Sequence, residues 1–152
     1  MVLFLTILTV LIDQLTKLQA VKYLKGRGPY KIIDNFFSLY YIENRGAAFG
    51  ILQEKRLLFL VLTTIVIIGL TIFIYRNYSK LDGFTKVALG LLIGGAIGNL
   101  IDRYRLGYVI DFLSFKLITD YSFPVFNLAD VFIVISTIMI ALIVIFEEPS
   151  IR

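Results

Sequence analysis

From Leu57 to Tyr75 the chain reads LLFLVLTTIVIIGLTIFIY, without one charged side chain. Such a run can cross the hydrocarbon core of a bilayer, which takes about 20 apolar residues at about 1.5 Å each. Three further stretches come close: Val2–Leu24, Val87–Ile101 extended upstream to about Phe84, and Phe126–Phe146. The first carries Asp13, Lys17 and Lys22, and the last only Asp130. Of 152 residues, 59% are hydrophobic and 17% charged, where soluble domains have roughly 45–50% and 25%. The expected fold is therefore all-α and membrane-embedded. A single integral membrane domain over residues 1–152 would have spans at about 2–24, 57–75, 84–101 and 126–146.

The first span is read as retained, because it lacks a basic leader and Asp13 interrupts the apolar core that a cleaved signal needs. Four spans place both termini on one side. Loop 1, about Lys25–Arg56, and loop 3, about Asp102–Pro124, then share the other. A naive count finds Lys and Arg commoner in these two loops, which by the positive-inside rule would make them cytoplasmic. That count misleads if Lys17, Arg45 and Arg103 belong to a site. Loop 1 is rich in aromatic and β-branched residues from Ile32 to Ile42 and turns at Asn44-Arg45-Gly46, so short strands are expected there. Exposed strands cannot lie in lipid, which predicts a small β-rich cradle at the membrane surface.

The sequence has no cysteine and no histidine. Disulfide scaffolds, cysteine proteases, zinc fingers and histidine-dependent triads are excluded. The net charge of +4 comes from scattered basic residues and forms no stripe for nucleic acid; anionic membrane lipids are the simpler partner.

Ionisable groups in or beside a span are costly and mark a site by default. Asp13 and Lys17 are four apart and share a helix face, so they can pair, either at a site or merely to help the helix pack. Gly90, Gly94 and Gly98 repeat every four residues, a pattern for close helix packing. The adjoining row Gly95, Asn99, Arg103, with Asp102 beside it, carries polar groups to the end of the same helix. Asp111 stands between apolar neighbours in a loop returning toward the bilayer. Asn127 precedes Asp130, which should lie in the first turn of the last helix, where a carboxylate is favoured by the dipole. Two carboxylates sharing one site cannot easily both ionise, so one can hold a proton while the other deprotonates a water. Such a pair can hydrolyse an amide without His, Cys or metal. A serine–lysine pair of Ser114 and Lys17 stays open on composition, although neither lies in a nucleophile turn.

Five blocks, in order, resemble the lipoprotein signal peptidases, the bacterial type II signal peptidases. They are Asp13-Gln14-Leu15-Thr16-Lys17, Asn44-Arg45-Gly46-Ala47-Ala48-Phe49-Gly50, the run from Gly94 to Arg103, the run from Gly107 to Phe112, and the run from Phe123 to Asp130. The resemblance implies an aspartic endopeptidase of the bacterial cytoplasmic membrane. It would cut diacylglyceryl-modified prolipoproteins just before the modified cysteine; a monomer is expected, with no cofactor or metal. Asp111 and Asp130 match the catalytic dyad. Asp13, Lys17, Asn44, Gly46, Gly95, Asn99, Asp102, Arg103, Asn127 and Ala129 match its supporting positions. It also implies cytoplasmic termini and a dyad near the outer surface, against the naive charge count. The rival from another class is a small proton- or ion-coupled transporter subunit in which Asp13, Lys17 and Asp130 relay charge.

Overall fold

The computed structural model describes residues 1–46, 55–118 and 121–146. Among these described residues four helices are long and apolar enough to cross a membrane: α1 (Val2–Leu24), α2 (Arg56–Asn77), α3 (Gly83–Arg105) and α4 (Leu128–Phe146). Between α1 and α2 lie the strands β1 (Tyr30–Ile33) and β2 (Phe37–Asn44); between α3 and α4 lie β3 (Val109–Ile118) and β4 (Tyr121–Ser122). The multi-pass membrane character read from the sequence is thus present, together with a small antiparallel sheet ordered β1-β2-β3-β4.

Loop 3 departs from expectation. Asp111 does not sit in an irregular loop but in β3, paired with β2 through Leu39↔Leu113, Ile42↔Asp111 and Asn44↔Val109. The alternation around Asp111 is hidden because Val109, Ile110, Asp111 and Phe112 are all buried, so no polar face announces a strand. β3 also bridges the approach to α4: Leu113 N–H donates to Phe126 O at 2.8 Å, and Phe126 N–H donates back to Leu113 O at 3.1 Å. Asn127 is therefore delivered beside Asp111.

α3 is the hub, packed against α1, α2 and α4. Its uncharged helix interior has little side-chain bulk on the α1 side, and glycine allows the close approach. A Cβ on Gly94 would lie 2.6 Å from Thr9 Cβ and 3.0 Å from Thr6 O, while Thr6 Oγ1 donates to Gly90 O at 3.2 Å. Gly95, one residue round, faces α4 instead, where a Cβ would lie 2.6 Å from Ala129 O. Away from the polar end the core is Val2, Ile74, Leu89 and Ile93. At the other end Ala20 and Leu24 of α1 pack on Ile110 and Phe112 of the sheet. α2 and α4 otherwise turn large apolar side chains outward, Val61, Ile65, Ile68, Val134 and Ile138 among them, as helices bathed in lipid must.

Gly94→Ala should lower the melting temperature in detergent, because overpacking costs roughly 1–3 kcal/mol. Gly69→Ala, where an added Cβ meets nothing within 4 Å, should leave it unchanged; equal melting temperatures would contradict the packing account.

Candidate active site

Lys17 lies near the C-terminal end of α1, one turn after Asp13, and is 1% exposed. Its ammonium has three hydrogens and three acceptors: Asp13 Oδ2 at 2.9 Å, Asp102 Oδ2 at 2.9 Å and Asn99 Oδ1 at 2.9 Å. One cation thus joins two carboxylates and an amide from α1 and α3. The remaining oxygens are used as well. Asp13 Oδ1 accepts the N–H of Ala129 at 3.1 Å, satisfying an amide in the first turn of α4. Asp102 Oδ2 also accepts the N–H of Ile110 in β3 at 3.1 Å. Three helices and the sheet are therefore tied to one ammonium. Gly98 has no room for a side chain, since its Cβ would run into Asp13 Oδ2.

At the start of α4, Asp130 N–H donates to Asn127 Oδ1 at 3.0 Å and Asn127 N–H donates to Asp130 Oδ2 at 3.2 Å. This reciprocal pattern is a capping box with an acid at its fourth position, and the partial positive end of the helix favours that acid. Local sequence thus fixes where Asp130 sits. Its second oxygen, Oδ1, accepts Asn99 Nδ2 at 2.8 Å. Asp111 reaches the same place from the sheet. Its Oδ1 accepts Asn127 Nδ2 at 2.6 Å, and its Oδ2 accepts Asn44 Nδ2 at 2.9 Å from the diagonal position on β2. Asn127 therefore contacts both acids.

The three asparagines cannot be turned the other way. Asn99 Oδ1 faces Lys17 Nζ and Asn127 Nδ2 (3.1 Å), Asn127 Oδ1 faces Asp130 N–H, and Asn44 Oδ1 accepts Gly46 N–H at 3.0 Å. Each carbonyl end meets only donors, so each NH2 must point at an acid. Among the described residues no buried side-chain polar atom lacks a partner.

Asp111 and Asp130 both line a cavity of about 870 Å³ whose walls include Asn44, Gly46, Asn99, Arg103 and the apolar Val109, Phe126, Ile133 and Val134. Asp111 is 1% exposed. Burial, and next the charge of Asp130, push its carboxyl up to about 7, against the lowering pull of the Asn44 and Asn127 hydrogen bonds and of Lys17. Below about pH 7 this carboxyl holds its proton and presents it to an apolar cleft. It can act as acid and base on a substrate drawn from the bilayer.

Of the sequence-derived positions, Asp13, Lys17, Asn99, Asp102 and Ala129 meet in the buried ammonium cluster. Asn44, Gly46, Asp111 and Asp130 line the cavity, and the fully buried Asn127 is hydrogen-bonded to Asp111 beside it. Gly95 is the contact of α3 with α4, and Arg103 lines the cavity with its guanidinium carbon 4.9 Å from the centre of the Phe59 ring. Ala47, Ala48, Phe49 and Gly50 lie outside the described residues. Gln14 was missed: its Nε2 reaches Asp13 Oδ2 at 3.2 Å, Gly98 O at 3.2 Å and Asp102 Oδ1 at 3.1 Å. An amide inside a predicted span was the available signal. Glu43 was also missed. It lines the cavity beside Asn44 and gathers Lys25 Nζ at 3.1 Å and Arg45 Nη2 at 3.4 Å, a contact between the end of α1 and the sheet that charge spacing along the chain does not reveal.

The chain is 48% identical over 139 residues to a lipoprotein signal peptidase of Caldanaerobacter subterraneus subsp. tengcongensis, covering 91% of each chain. It is 42% identical over 147 residues to a lipoprotein signal peptidase of Clostridioides difficile, covering 96% of this chain and 95% of the relative. Among solved structures it is similar to a bacterial membrane enzyme determined by the in meso method, with a TM-score of 0.87 and 33% identity, over 99% of this chain and 91% of that one. Residues 5–146 match the family described as Signal peptidase (SPase) II, and the chain, a multi-pass membrane protein with this fold and these relatives, belongs to that family.

Proposed function

We propose that this chain is an aspartic endopeptidase that removes the signal peptide from lipid-modified prolipoproteins, cutting N-terminal to the diacylglyceryl-cysteine, with Asp111 and Asp130 as the catalytic pair. The observation that carries the reading is that both acids open into one largely apolar cavity while sharing Asn127 as a donor. Asp130 takes a proton from water as the water oxygen attacks the scissile carbonyl carbon. Asp111 gives its proton to the carbonyl oxygen. Collapse of the tetrahedral adduct breaks the C–N bond: the proton held by Asp130 passes to the leaving nitrogen of the cysteine, and one hydroxyl of the gem-diol returns its proton to Asp111 as the new carboxyl group forms. The apolar walls take the acyl chains, and confinement to the membrane pre-orients the two partners. Arg103, on the cavity wall, is placed to hold a substrate backbone carbonyl. The family relationship supports a lipoprotein substrate, cytoplasmic termini and a cavity mouth at the outer face of the cytoplasmic membrane. The transport reading has no such support: Asp13 and Lys17 are buried and do not line the cavity into which Asp130 opens.

Asp111→Asn and Asp130→Asn should each lower cleavage of a diacylglyceryl lipobox peptide by roughly 10³-fold or more, with folding retained on size-exclusion chromatography. Full activity in either variant overturns the pair. Cleavage needs the proton on Asp111, so raising the pH through about 7 strips it and kcat/KM should fall. A profile level up to pH 9 would contradict this assignment. Lys17→Met strands two buried carboxylates at a cost of roughly 3–5 kcal/mol, so melting temperature and activity should drop together, whereas the Asp111 and Asp130 variants should lose activity far more than stability.

A further inference from the structure

α2 is the helix least engaged with the rest of the molecule. Of its residues only Ile74, near its far end, is buried, yet its first turn grips the end of α3 that carries Arg103. Arg56 Nε donates to Arg103 O at 2.8 Å, and Arg56 Nη2 donates to Tyr104 O at 2.6 Å. The second of these carbonyls belongs to the last turn of α3, where helical partners run out. Three residues on, and so on the same face of α2, Phe59 lies beneath the Arg103 guanidinium with 4.9 Å between its ring centre and Cζ. Backbone and side chain of Arg103 are thus held from one turn of one helix. Among the described residues Arg103 forms no ion pair with a carboxylate, although it lines the same cavity as Asp111 and Asp130. A cation kept from its nearest acids remains available to a substrate, and a ring face can hold it there without neutralising it.

We infer that Phe59 is a positioning residue for cleavage: its ring face aims the Arg103 guanidinium across the cavity at the substrate backbone, with Arg56 fixing the helix end from which Arg103 projects. A leucine at 59 keeps apolar bulk and removes the π face, whereas a tyrosine keeps the face. The inference rests on the proposed peptidase reading of the cavity.

The test is steady-state cleavage of a diacylglyceryl lipobox peptide by the full chain in detergent, with melting temperature followed in parallel. Phe59→Leu should lower kcat/KM by roughly 2- to 30-fold, the range that loss of a cation–π contact carries, with an unchanged melting temperature. Phe59→Tyr should restore the wild-type value. Wild-type rates in Phe59→Leu, an equal loss in Phe59→Tyr, or a loss that tracks the melting temperature would overturn the positioning role alone. No product from the wild-type chain would overturn the reading of the cavity, and this role with it.

Discussion

The whole polar end of the molecule depends on one buried ammonium. A charge out of water costs several kcal/mol, and Lys17 recovers that cost only because Asp13, Asp102 and Asn99 occupy its three hydrogens at 2.9 Å. That requirement dictates much of the surrounding structure. α1 and α3 must come close enough for a lysine and two aspartates on different helices to meet, which leaves no Cβ room at Gly94 or Gly98. Once there, the carboxylates reach outward to the Ala129 amide of α4 and the Ile110 amide of β3, so helix packing and sheet docking are solved by the same four side chains.

The ammonium also sets chemistry one bond further away. By occupying Asn99 Oδ1, it forces Asn99 Nδ2 toward Asp130. The capping box does the same for Asn127, and the turn at Gly46 for Asn44. The acids are therefore held by donors whose polarity is settled before any substrate arrives, which is what a precise pair requires of its surroundings. Low local dielectric makes such a network strong when complete and costly when broken.

Much of this was legible in the sequence. Four spans follow from apolar runs, and the Asp13–Lys17 pair from a spacing of four on a helix. The place of Asp130 in the first turn of the last helix follows from helix-start chemistry, and a close helix contact along one face of α3 from glycines every fourth residue. β3 was not legible, because burial on both faces removes the alternation by which a strand is read, and with it went the register that sets Asn44 diagonal to Asp111. Long-range choices were hidden for a related reason. Nothing local says that Lys17 selects Asp102 as well as Asp13, that Gln14 spans both, or that the first turn of α2 reaches back to α3. Those depend on which helix faces meet, and many apolar faces would serve equally well in lipid.

The central claim is that Asp111 keeps a proton in its buried, apolar setting until about pH 7, and infrared difference spectroscopy of the detergent-solubilised protein tests it most directly. The account predicts a carboxylic-acid C=O band at pH 6 that disappears with a midpoint at about pH 7 and is absent from Asp111→Asn. No such band at pH 6, or one that survives unchanged in Asp111→Asn, would contradict it.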